Sequence, residues 1–151
     1  MSLDTDAETI SEARARILSE IGEGVTLVAA SKRQPPERID AALAAGQRVF
    51  GENRVQEGEA HWAERHGAID GLELRLIGPL QTNKAEAAVA LFDVIETLDR
   101  AKLLKALVKA VDKTGVAAPR LLIQVNTGDE PQKGGVSVDG LSGPDVYPAG
   151  C

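Results

Sequence analysis

The sequence predicts an α/β protein built on a parallel sheet, either doubly wound or part of a β/α barrel. Five short apolar runs, Val25–Ala30, Arg48–Phe50, Leu72–Ile77, Phe92–Glu96 and Arg120–Val125, recur along the chain. Their starts lie roughly two dozen residues apart, the rhythm of a strand plus a crossover helix. Helix signals fill the gaps, and alternating β and α segments imply parallel pairing.

The elements follow in order. A leading helix from about Asp6 to Glu20 sets Ile10, Ala13, Ile17 and Leu18 on one side. The first strand, Val25–Ala30, is apolar almost throughout and is expected to be buried. Pro35 and Pro36 suit the first turn of the next helix, Ile39, Ala42 and Leu43 form its apolar stripe, and Gly46 is its stop. After Gly51, Val55, Trp62 and Ala63 fall at helix-compatible spacing. Asn83 followed by Glu86 resembles a capping box. Asp99 is the expected cap of the clearest helix, with Leu104, Leu107, Val108 and Val111 on its apolar face. Lys102, Lys105, Lys109 and Lys113 form its solvated face, and Gly115 ends it. Residues 1–136 then make one unit, and residues 137–151, SVDGLSGPDVYPAGC, read as an irregular tail.

At 151 residues the chain suggests one domain, and 43% hydrophobic with 26% charged residues is ordinary for a globular protein. Aromatics make up only 3%, so the core is expected to come from Ala, Val, Leu and Ile. A net charge of −6 argues against a nucleic-acid or anionic-membrane surface, either of which needs clustered Lys and Arg. The single cysteine, Cys151, has no internal partner, which fits a reducing compartment. The N-terminus MSLDTDAETI is unlike a signal peptide, and no apolar run approaches a membrane span. The expected location is cytoplasmic.

In both candidate architectures ligands bind at the C-terminal ends of the strands. Those ends carry Ser31 and Lys32; Gly51, Glu52 and Asn53; Gly78, Pro79, Gln81 and Asn83; Thr97 and Asp99; Gln124, Asn126 and Thr127. Amides suit a polar ring ligand better than a metal ion, although the same residues serve turns and caps. Lys32 follows the first strand closely. Desolvation there disfavours the ammonium and frees an amine to attack aldehydes, whereas a strand-end lysine can also snorkel to water. A metal site is not expected, because His61 and His66 are five apart and the Glu57/His61 pair reads as a surface contact. Phosphate-binding glycine motifs are absent, and Ser31 lacks the context of a nucleophile elbow. An imine-forming lysine at a barrel mouth is the strongest candidate.

The strings LVAASKRQPP, RVFGENRVQE, LRLIGPLQTNK and LLIQVNTGDEPQKGGV, in this order, resemble the pyridoxal phosphate homeostasis proteins, the YggS-like group also known as proline synthase co-transcribed homologues. These resemble the barrel domain of alanine racemase. The likeness covers about residues 6 to 136. It implies a partial (β/α) TIM-type barrel of the alanine racemase N-terminal kind, with about five of eight strands. It implies that Lys32 holds pyridoxal 5′-phosphate as an internal aldimine, with Asn53, Gln81 and Asn83 lining the same mouth. Gln124 and Asn126 are expected near the ring, and Lys133 matches a family lysine that could serve as a second amine for cofactor hand-over, although an isolated lysine there also reads as a solvated loop residue.

Two departures stand out. Arg75 in LRLIG occupies a position where the family usually carries His, and the family's phosphate cradle of Ser, Gly and Arg near the last strands has no counterpart in these residues. The expected state is a truncated form, ending in family terms after about residue 136. The implied function is binding and homeostasis of pyridoxal 5′-phosphate without clear catalytic turnover. The implied partners are the cofactor, apoenzymes that receive it, and other copies of the chain through open sheet edges. An amino-acid racemase is disfavoured, since two-base chemistry needs a second acid–base group and the only tyrosine is Tyr147 in the tail. The rival from another class is a non-binding remnant, or a fragment that acts only by association.

Overall fold

The computed structural model describes residues 3–142; the last part of the tail, with Tyr147 and Cys151, lies outside them. Helix α1 (Leu3–Ile21) is followed by β1 (Ala29–Ala30), α2 (Pro36–Ala44), β2 (Val49–Glu52), α3 (Val55–Trp62) and β3 (Glu73–Leu76). A single 3₁₀ turn at Thr82–Lys84 leads into α4 (Ala85–Leu91), and then come β4 (Val94–Leu98), α5 (Ala101–Thr114) and β5 (Arg120–Ile123). All strand pairs are parallel, and the strands lie in the order β1-β2-β3-β4-β5. A doubly wound sheet reverses direction part-way, whereas a barrel adds each strand beside the last. The unreversed order is that of a barrel segment.

Period-two alternation divides the strands between two faces. Leu74 and Leu76 of β3 are fully buried and join Phe50, Ile95 and Leu98 beneath the helices. Trp62 from α3 is also fully buried, with its ring 4.7 Å from that of Phe50. Glu73 and Arg75 alternate with the two leucines and are only half-buried. Helix α5 inserts Leu103, Leu107 and Ala110 into the core and leaves Lys102, Lys105, Lys109 and Lys113 exposed, as the sequence predicts. Its apolar face is rotated from the expected one: Leu103 is buried, while Val108 is 49% exposed.

Local expectations hold where backbone geometry alone decides them. Gly46 and Gly115 end their helices in the left-handed region, at φ +96° and +69°. Others fail because a distant group competes. The first strand shrinks from Val25–Ala30 to two residues and Val25 is exposed, because among the described residues β1 is a sheet edge paired only to β2. Asn83 and Glu86 form no capping box; α4 starts after Lys84 without a side-chain cap. Asp99 does not cap α5 either. Its carboxylate accepts the Gly135 N–H at 3.2 Å and a bond from Arg100 at 2.8 Å. Beyond β5 the chain returns, and Val136 pairs in parallel with Val125, donating to Gln124 O and accepting from Asn126 N. Part of the expected tail is regular too, since Asp139–Ser142 forms one 3₁₀ turn.

Candidate functional site

The C-terminal ends of the five strands lie along one edge of the sheet and carry most of the polar residues singled out above. At the end of β1, Ser31 is buried and donates its hydroxyl to Glu52 Oε1 at 2.7 Å. Lys32 follows in a tight turn, and Arg33 takes a left-handed conformation at φ +57°. The Lys32 side chain is exposed, which corrects the expectation that the strand end desolvates it. Among the described residues this two-residue edge strand has no strand on its outer side to cover the turn that follows. The amine is therefore reachable by solvent and by a ligand.

At the end of β2, Glu52 is fully buried on the core side. Its Oε1 receives Trp62 Nε1–H at 3.0 Å and lies 2.7 Å from His61 Nδ1, in addition to the Ser31 hydroxyl. Its Oε2 has no hydrogen-bond partner among the described residues. The ligand atoms of Glu52, Glu57 and His61 come within 4.8 Å of one another. Three groups converge on Glu52 Oε1, and Glu57 accepts the backbone N–H of Arg33, so the cluster holds together by hydrogen bonding. His61 bonds Glu52, and half-buried Glu57 lies within 4.8 Å of it, so the expected Glu57/His61 neighbourhood is extended inward to Glu52. The role of Glu52 escaped sequence reasoning. Its signal was there: Glu52 shares a strand face with Phe50, two residues away, so alternation sends a carboxylate toward the core.

Asn53 and Gln81 meet in one cleft of about 630 Å³, lined also by Arg54, Lys84 and Arg100 and by no carboxylate. Backbones approach closely there: a Cβ added at Gly78 would stand 2.1 Å from Asn53 O. Thr97 on β4 donates to Gly78 O at 2.9 Å, and Arg100 is held by Leu80 O at 2.8 Å. Lys32 does not line this cleft. Asn83 turns to a neighbouring cleft with Thr82 and Lys109.

Gln124, Asn126 and Lys133 form a third group at the end of β5. Gln124 is half-buried beside Gly134. The Asn126 amide is engaged by its own loop, donating to Glu130 O at 2.7 Å and accepting from Glu130 N at 3.1 Å. Lys133 is exposed and paired with Glu130 at 2.7 Å. The structure thus gathers the candidate residues along one edge in separate groups, with Asn53 and Gln81 the pair that shares a cavity.

The pyridoxal phosphate homeostasis protein of Escherichia coli K12 is 41% identical over 121 residues, which is 77% of this chain and 50% of the relative. The solved structure of PipY from Synechococcus elongatus without pyridoxal phosphate matches at TM-score 0.78 and 41% identity, covering 84% of this chain and 58% of PipY. The chain belongs to the pyridoxal phosphate homeostasis protein family. It spans about half the length of the curated relatives in the family that it matches. PipY with pyridoxal phosphate bound matches at TM-score 0.74 and 39% identity, over 83% of this chain and 57% of PipY. An alanine racemase of Clostridium difficile, at 12% identity and TM-score 0.64, shares the fold alone over 89% of this chain and 32% of its own. No protein-family model matches the chain. No helix among the described residues is long and apolar enough to cross a membrane.

Proposed function

We propose that this chain binds pyridoxal 5′-phosphate and serves its homeostasis, holding the cofactor rather than turning over a substrate. The observation that supports this best is the likeness to PipY with pyridoxal phosphate bound. The cofactor supplies an aldehyde that a primary amine holds covalently and reversibly, with loss of water. Lys32 offers an accessible amine at the end of β1. The donor set fits the group: Asn53 and Gln81 supply neutral amides, and Arg54, Lys84 and Arg100 place positive charge beside them, which suits a ligand carrying phosphate. Asn83, Gln124 and Asn126 extend the set along the same edge. Lys133 is a second amine, suited to passing the cofactor to an apoenzyme once its pair with Glu130 opens. Residues 1–136 form the binding segment, residues 137–151 its tail, and the open sheet edges favour association with other copies of the chain.

The purified chain mixed with pyridoxal 5′-phosphate should develop a new visible absorbance band. Borohydride reduction and peptide mapping should then place the pyridoxyl group on Lys32. Label found mainly on Lys102, Lys105 or Lys109, the exposed face of α5, would overturn the assignment. Lys32→Ala should remove the band and leave the circular dichroism unchanged.

A second reading draws on the exposure of Lys32: a chain that retains no cofactor and acts only by associating with others. A folded chain with no band at millimolar cofactor would select it.

A further inference from the structure

Lys32 has an exposed side chain, yet the backbone on both sides of it is tied to the same neighbouring unit, β2 with α3. On one side, the hydroxyl of buried Ser31 donates to Glu52 Oε1 at 2.7 Å, and Ser31 N bonds Gly51 O at 3.0 Å. On the other side, the backbone N–H of Arg33 donates to the carboxylate of Glu57. Glu52 is itself anchored, since Trp62 Nε1–H reaches its Oε1 at 3.0 Å and His61 Nδ1 stands 2.7 Å away. Gln34 N closes the turn onto Ser31 O at 3.2 Å.

A fully buried carboxylate is a costly way to fill a core position, and one of its oxygens has no hydrogen-bond partner among the described residues. An apolar side chain of similar size would pack there without that cost. What the carboxylate adds is a fixed acceptor for Ser31, the residue next to the lysine.

We propose that Glu52 and Glu57 are positioning residues, a two-point clamp that fixes the turn at Ser31–Arg33 and so holds the root of the Lys32 side chain at the barrel mouth. This rests on the reading of Lys32 as the cofactor-holding amine. The clamp leaves the amine mobile enough to meet a ligand and lowers the ordering cost of capturing one, because the backbone is already placed.

Ser31→Ala cuts the link to Glu52 while leaving Trp62 and His61 in place. It should weaken capture of pyridoxal 5′-phosphate by Lys32 about tenfold, the size of losing one hydrogen bond to a charged group. Ser31→Thr keeps the hydroxyl and should restore capture to within about twofold. Glu57→Ala, a change outside the core, should weaken capture in the same direction with the melting temperature unchanged, so the test survives even if Ser31→Ala folds poorly. Capture by both Ser31→Ala and Glu57→Ala within about twofold of the parent would overturn the clamp. A second readout needs no cofactor. With lysines dimethylated using carbon-13, the Lys32 methyl resonance should sharpen in both variants as the turn loosens, while that of Lys105 stays unchanged. If the parent chain takes no label on Lys32, the functional reading falls and the clamp is judged by this spectrum alone. Unaltered Lys32 line widths in both variants would then sink it.

Discussion

Arg75 on β3 and Glu96 on β4 are joined by a 3.1 Å ion pair across adjacent parallel strands. The same guanidinium bonds Glu73 on its own strand at 2.9 Å, and Glu73 also reaches Arg120 on β5. Two carboxylates thus consume the donors of Arg75. Burial opposes the charge on Arg75, but hydrogen bonds and charge from Glu73 and then Glu96 outweigh it and raise its pKa above the ordinary arginine value.

Arg75→Lys keeps the charge but gives up the planar fork that reaches both carboxylates, and should cost about 1–2 kcal/mol of stability. Arg75→Ala leaves Glu96 without this partner and Glu73 with Arg120, and should cost about 2–4 kcal/mol. A group whose folded pKa is raised contributes fully below its unfolded pKa and loses that contribution only as pH rises through the folded value. For Arg75 both lie far above neutrality, so its charged-state contribution should be flat across the neutral range. Urea melts of parent and Arg75→Ala at several neutral pH values check this; a gap that opens with pH between about 6 and 9 would contradict it.

Trp62→Phe should cost about 2–4 kcal/mol, more than a simple loss of ring volume. The indole is fully buried and donates at 3.0 Å to Glu52 Oε1, so its removal takes one donor from a buried carboxylate that already has an unpartnered oxygen. Denaturation followed by circular dichroism measures this, since Trp62 is the only tryptophan. A cost below about 1 kcal/mol would mean that the Glu52 knot relaxes freely.

What could be read in the sequence were features decided within a few residues. Gly46 and Gly115 mark helix ends through their own backbone, and the exposed lysines of α5 follow from helical periodicity. The strand positions came from apolar runs, and the barrel reading came from the motif resemblance; the unreversed strand order agrees with both. What failed depended on partners far along the chain. Asp99 has the composition of a cap but is claimed by Gly135, 36 residues on. Ser31 and Glu52 are 21 residues apart, and only the parallel pairing of β1 with β2 brings them together. The exposure of Lys32 follows from its place at a sheet edge, which no local pattern records.

Two neighbouring glycine positions should respond differently to alanine. At Gly78 the new Cβ would lie 2.1 Å from Asn53 O, a backbone atom that cannot swing aside. Gly78→Ala should therefore cost more than about 3 kcal/mol and displace Asn53 from its cleft. At Gly51 the nearest atom is the flexible end of Ile77, 2.9 Å away, and the cost should be about 1–2 kcal/mol. Melting curves of the two variants rank them, and a milder Gly78→Ala would mean that the β2 and β3 ends separate easily.

The edges of the sheet predict how the chain behaves in solution. Neither β1 nor β5 has a second strand partner among the described residues, apart from the bridge of Val136 to Val125 just beyond β5. That bridge lies past Leu121–Ile123, where Leu122 is 45% exposed, and Val25 near the other edge is 56% exposed. Unpaired backbone groups on apolar strands are templates for another chain. The net charge of −6 opposes association only as a diffuse repulsion that salt screens. Oligomers should therefore grow with added salt, and Leu122→Lys should suppress them by setting a charge on the β5 edge. Sedimentation velocity at low and high salt measures both effects. A monodisperse monomer at high salt that also unfolds cooperatively would show that the edges are protected, and the expectation of self-association would fall with it.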